Sequence, residues 1–130
     1  MKNFMDDQDF LLSTKTGEEL FHNFAEGMPI VDYHCHISPK EIWDDKRFEN
    51  ITEVWLGGDH YKWRLMRANG VDERFITGDA PAREKFQKWA ETLGRCVGNP
   101  VFEWSHLELK RFFGYEGVLN GNTTQEVWDL

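Results

Sequence analysis

The 130-residue sequence has no cluster of basic residues, no long apolar stretch, and only two cysteines and four prolines. Each shortage excludes something. With 15 Lys and Arg against 23 Asp and Glu, the formal net charge is −8. A phosphate backbone would find nothing to grip, so no nucleic-acid partner is expected. No segment approaches the roughly 20 apolar residues of a membrane-spanning helix, and the opening MKNFMDDQDF lacks the apolar core of a secretory signal. No membrane partner is expected. Cys35 and Cys96 cannot make a disulfide framework, which points to a reducing cytoplasm. Glycine-rich phosphate loops, Cys-x-x-Cys pairs and nucleophile elbows are all missing.

What is present reads as globular: 40% hydrophobic and 29% charged residues, in a length that allows one domain with a real core. Six Trp and ten Phe are many for this length. They imply a substantial packed interior, or surfaces that pack on something beyond these residues.

The first ten residues read as an arm without clear period. Thr16-Gly-Glu-Glu19 matches a capping box, and Leu20, Phe21 and Phe24 follow at helical spacing to a stop at Gly27. The run Met28 to His36 is short, rich in strand formers and bounded by Pro29 and Pro39, and is expected to be a strand. After it nearly every signal is helical. Ser38-Pro39-Lys40-Glu41 combines a capping box with Pro at the first helical position. Asp59 can cap a helix closed by Gly70. Asp79 can cap another over about 80–95, with Phe86, Trp89, Ala90 and Leu93 on one face. A further helix covers about 101–113 and ends at Gly114. Thr123-Thr124-Gln125-Glu126 opens a last one that is barely two turns old at Leu130. That start without a stop, and a lone strand without a partner for its backbone groups, lead to the expectation that a sheet continues past residue 130.

His34-Cys35-His36 is the sharpest chemical signal. On a strand, residues two apart share a face, with Cα atoms about 6.6–7 Å apart. Two imidazoles so placed can converge on one ion, and Asp32 shares their face, while Tyr33 and Cys35 point away. A bare His-x-His is equally two polar residues on an exposed strand; here the apolar flanks argue for burial. Two ligands do not complete a site. Next comes Gly57-Gly58-Asp59-His60-Tyr61. If Asp59 caps the helix, His60 and Tyr61 lie in its first turn, where free N–H groups and the dipole favour anions or developing negative charge. Tyr61 could donate to an oxyanion, although plain aromatic packing is the heavier alternative on these residues alone. Arg64 and Arg67 could bind a carboxylate or form a solvated face. His22 and His106 sit in amphipathic helices and read as packing or surface residues.

These segments resemble the uronate isomerases of the amidohydrolase superfamily. The resemblance covers the whole chain through FMDDQDFLLST, PIVDYHCHISPKEI, GGDHYKWRLMRANGV, TGDAPAREKFQKWAETLGRCVGNP and HLELKRFFG. It implies an α/β fold: the N-terminal part of a (β/α)8 TIM barrel of the metal-dependent hydrolase kind. Residues 1–27 would be an arm and helix, 28–37 the first barrel strand, and 38–130 a mostly helical insertion. It implies His34 and His36 as ligands of a divalent metal, with zinc expected, His60 as a substrate-binding residue and Tyr61 as the catalytic group. The implied reaction is aldose–ketose isomerisation, D-glucuronate to D-fructuronate and D-galacturonate to D-tagaturonate, by proton transfer through an enediol in hexuronate catabolism. The expected partner is the small hexuronate, and homo-oligomerisation is compatible with this. The family's base and remaining ligand lie on later strands, so these 130 residues alone are expected to be inactive. Two other classes stay open: another amidohydrolase-type metal-dependent hydrolase, and a non-catalytic helical module.

Overall fold

A computed structural model describes residues 5, 6 and 8–130. The expected N-terminal arm falls partly on residues 1–4 and 7, outside the described residues. The chain divides into two compact units, Met1–Cys35 and His36–Leu130, which are taken in turn.

In the first unit α1 spans Lys15–Leu20 and runs on into a single π-helical stretch, Phe21–Ala25. Its cap is Thr14, whose hydroxyl accepts from the Gly17 N–H at 3.0 Å. The capping residue is therefore two positions earlier than the Thr16 box suggests. His22 sits in the π stretch between two carboxylates, Nδ1 3.2 Å from Glu26 and Nε2 3.1 Å from Asp9. Hydrogen bonds to Asp9 and then Glu26 raise its pKa despite some desolvation.

No strand forms among the described residues, which corrects the expectation of one over residues 28–37. Residues 29–35 carry no regular structure, and Ile30, Val31 and Tyr33 are exposed rather than buried. The physical reason is that a strand is defined by its ladder. β-branched residues favour an extended path, but without a neighbouring strand the path has no backbone partner.

The second unit holds six helices: α2 (Pro39–Trp43), α3 (Ile51–Leu56), α4 (His60–Ala68), α5 (Ala82–Leu93), α6 (Pro100–Phe113) and α7 (Thr124–Trp128). A 3-10 turn, Glu73–Phe75, lies between α4 and α5. Helix α5 is central, packing against α3, α4 and α7. The spacing of Phe86, Trp89, Ala90 and Leu93 puts all four on one face, and all are fully buried. Trp55, Leu56, Met66, Ile76, Phe102, Leu109, Leu119 and Val127 complete the core. Each large side chain among them contributes roughly 1.5–3 kcal/mol by leaving water.

Caps set most of the boundaries. Asn50 accepts from the Glu53 N–H at 3.0 Å to start α3. Asn99 accepts from the Val101 N–H at 3.0 Å to start α6, with Pro100 at its first position. Gly114 ends α6 at φ +66°, a conformation a side chain would strain. Helix α5 begins at Ala82 rather than Ala80: Pro81 has no N–H to give and takes the cap position in place of Asp79. Thr123 precedes α7, but its hydroxyl donates to the Val118 carbonyl at 2.8 Å instead of capping the helix.

One buried polar residue ties the end of the chain to α6. His106 Nδ1 lies 2.6 Å from the Phe102 carbonyl, and Nε2 accepts from the Leu119 N–H at 2.9 Å. The two bonds fix the neutral tautomer with its proton on Nδ1. Burial pushes the His106 pKa down, against the opposing pull of Phe102 and Glu103. His106 is a packing residue, as its amphipathic helix suggests.

Candidate functional site

The site is built on the first turn of α4. Asp59 is its N-cap, and its carboxylate accepts from the N–H groups of Tyr61 at 3.0 Å and Lys62 at 3.3 Å. An acidic side chain suits this position because the first N–H groups of a helix have no internal acceptor. The sequence expectation that Asp59 starts the helix, and so puts His60 and Tyr61 in its first turn, holds.

Two tryptophans fix the turn to its surroundings. Trp63 Nε1–H donates to the Leu56 carbonyl at 2.7 Å, clamping α4 to the end of α3. Trp55 Nε1–H donates to Glu108 at 2.6 Å, joining α3 to α6. One turn further along α4, Met66 is completely buried. Helix α4 is thus anchored on its apolar side while its first turn stays open, with Tyr61 45% exposed.

Three of the four residues singled out in the sequence meet here. The His36 ring stacks on His60 at 5.4 Å between centroids and on Tyr61 at 5.1 Å, and the His60 and Tyr61 rings are 4.7 Å apart. The Arg64 guanidinium lies 5.4 Å from the Tyr61 ring centroid. The result is a surface cluster of two imidazoles, a phenol and a guanidinium. Its groups can donate hydrogen bonds to hydroxyl or carbonyl oxygens and offer a cation to an anion. His34 belongs to the preceding unit, where its backbone N–H donates to Asp32 at 3.0 Å.

Arg64 and Arg67, indistinguishable in the sequence, are separated by their contacts. Arg67 grips Glu73 with Nη2 at 2.5 Å and Nε at 2.8 Å. That bidentate pair, helped by the Thr77 hydroxyl, pulls the Glu73 carboxyl down to about 2. Arg67 is therefore a bracket for the turn after α4.

A contact that motif reading missed joins the two motifs. His36 Nδ1 is 3.3 Å from Asp59 Oδ1, and Lys62 Nζ is 2.7 Å from Asp59 Oδ2. Burial alone would raise the Asp59 pKa, but Lys62, through its ammonium and its backbone N–H, and His36 together hold it below its ordinary value. Nothing in the sequence marks this pairing, because its partners lie 23 positions apart. The only signal was that Asp59 heads the motif.

Among the described residues, no three His, Cys, Asp or Glu side chains gather as a metal-holding group. His34 and His36 fit a divalent ion in kind, since imidazole is a good ligand for zinc-like metals. They fall short in number, because a catalytic zinc takes three protein ligands. A complete site would need at least one further ligand.

Known proteins resemble this chain over its whole length. The family model described as glucuronate isomerase matches residues 1–130. The uronate isomerase of Lachnospira eligens is 69% identical over 130 residues, covering 100% of this chain and 28% of the relative. That of Endomicrobium trichonymphae is 64% identical over the same span, again 28% of its length. A crystal structure of uronate isomerase from Thermotoga maritima superposes with a TM-score of 0.84 at 40% identity, covering 94% of this chain and 27% of that one. The chain thus spans little more than a quarter of the length of the relatives it matches.

Proposed function

The chain belongs to the glucuronate isomerase family, and from that premise we propose that it forms the opening segment of an aldose–ketose isomerase acting on hexuronates. The reaction is D-glucuronate to D-fructuronate, and D-galacturonate to D-tagaturonate. In it a base takes the proton from the carbon beside the carbonyl, an enediol forms, and the proton returns to the neighbouring carbon. The observation that carries this reading is the first turn of α4, which presents His60 and Tyr61 together with His36.

Each residue of the cluster has a part that its chemistry suits. Tyr61 donates its phenolic proton in a hydrogen bond to the sugar oxygen on which negative charge develops, stabilising the enediol-forming step. His60, adjacent in the same turn, holds a sugar hydroxyl. Arg64, stacked near Tyr61, offers a cation to the sugar's carboxylate. His34 and His36 are the proposed ligands of a divalent metal, zinc being the expected ion. When bound, the metal would orient the sugar and polarise its oxygens. The proton-transfer base and the remaining ligand would come from outside these 130 residues. The fold proposed for the whole is a (β/α)8 barrel of the amidohydrolase kind, with residues 28–37 becoming a strand once neighbours supply its ladder, and 38–130 inserted as helices. No described helix is long and apolar enough to cross a membrane, and a cytoplasmic enzyme is proposed.

The test is a substrate comparison with the full-length protein. Isomerisation of D-glucuronate or D-galacturonate, followed by appearance of the ketose, is the expected activity. Turnover of esters or amides with no isomerisation would replace this reading with that of a metal-dependent hydrolase. Failure to turn over either class would favour a non-catalytic helical module.

A further inference from the structure

We propose that Asp59 is a positioning residue for His36, fixing the tautomer and the direction of the imidazole it presents to a metal. The inference rests on the proposed ligand role of His36 and extends it by one residue.

The geometry has three parts. First, His36 Nδ1 faces Asp59 Oδ1 at 3.3 Å. A carboxylate can only accept, so the facing nitrogen carries the proton and the lone pair is left on Nε2. A metal binds the nitrogen with the lone pair, and a carboxylate behind the other nitrogen sets the ring angle and makes the ligand more basic. Second, Asp59 is itself immobilised. It is held by two backbone N–H groups and by Lys62, at 3.0, 3.3 and 2.7 Å. Its side chain is only 12% exposed, and that of Lys62 11%. Four donors converge on this one carboxylate. Third, the same carboxylate starts the helix that carries His60 and Tyr61. One side chain therefore sets both the ring of a ligand and the first turn of the substrate-facing helix. This gives a physical reason for the order Asp-His-Tyr: shifting the cap by one residue would turn His60 and Tyr61 away and release His36 together.

The distinguishing substitution is Asp59→Asn in the full-length protein. Asparagine is as good an N-cap as aspartate, so α4 should persist, whereas the charge facing His36 is gone. Zinc affinity is read by chelator competition with the metal-free protein, and the His36 tautomer by the 15N shifts of its ring without metal. The expected result is zinc binding weakened about 10–100-fold, with the ring losing its preference for the Nδ1-protonated form and a thermal midpoint lowered only by loss of the Lys62 ion pair. Asp59→Ala should weaken zinc binding as much and lower the midpoint further through loss of the cap. If Asp59→Asn binds zinc within about twofold of the parent while His36→Ala loses it, Asp59 is only a cap and the inference is overturned. If His34→Ala and His36→Ala leave zinc binding unchanged, the ligand assignment itself falls. The tautomer then decides the role of Asp59 alone: an unaltered Nδ1–H population in Asp59→Asn would refute it.

Discussion

Replacing His106 with alanine removes both ends of the bridge between α6 and the Leu119 segment. The larger loss is at Leu119, which is fully buried. Its N–H would keep no imidazole acceptor, and an unmet buried donor costs about 1–3 kcal/mol. The missing ring volume adds on the order of 1–2 kcal/mol of cavity. Phe102 lies inside α6, where the helical ladder also uses its carbonyl, so that end matters less. The total is about 2–5 kcal/mol, a large part of the 5–15 kcal/mol of a typical domain. The assay is amide hydrogen exchange at Leu119 and along α6 in the full-length protein, which reads the local opening free energy. The effect should also depend on pH. Burial lowers the His106 pKa from 6.5, so the unfolded chain binds more protons than the folded one near that pH. The stability is complete above 6.5 and is lost as pH falls through it toward the lower folded value. A proton on Nε2 would set a donor against the Leu119 N–H. The parent should therefore weaken as pH falls through 6.5, and the difference between parent and His106→Ala should shrink over the same fall. His22 shifts in the opposite direction but is unaltered in both proteins, so it cancels. A cost below about 0.5 kcal/mol, or a difference that does not change with pH, would refute the clamp.

Two buried tryptophans make a paired prediction. Among the described residues Trp89 Nε1 has no hydrogen-bond partner, whereas Trp55 Nε1–H donates to Glu108. Both changes to phenylalanine remove similar volume, so Trp55→Phe should cost about 1–3 kcal/mol more than Trp89→Phe in urea unfolding; equal costs would show that the Glu108 bond contributes nothing. The purified 130-residue chain should show no uronate isomerisation, because the proposed proton-transfer base and remaining metal ligand would come from outside it. Ketose formation above the protein-free rate would sink that division of labour.

The helices were largely legible because their ends are chemical. Asp59 and Gly70 bracket α4, Gly114 ends α6, and the buried face of α5 could be read from spacing alone. Helix α3 escaped notice. ITEVWL is short and rich in strand formers, and it is helical because Asn50 caps it while Trp55 and Leu56 enter the core, which is tertiary information. The segment 28–37 failed in the opposite sense. Its composition favours an extended path, but a strand depends on neighbours that composition cannot supply. The site divides the same way. His60 and Tyr61 follow from a local cap, and their nearness to His36 depends on how residues more than 20 positions apart fold together. So do the Asp59–His36 contact and the division of labour between Arg64 and Arg67, which local patterns could not reveal.

The first turn of α4 is proposed to take part in isomerising a hexuronate. Tyr61→Phe in the full-length protein, assayed with D-glucuronate, probes that role. The ring and its stacking remain, and Tyr61 is 45% exposed, so stability should hardly change. Removing one hydrogen-bond donor from a developing oxyanion should lower kcat by about 10²–10³-fold with little change in KM. A kcat within about twofold of the parent would contradict the claim.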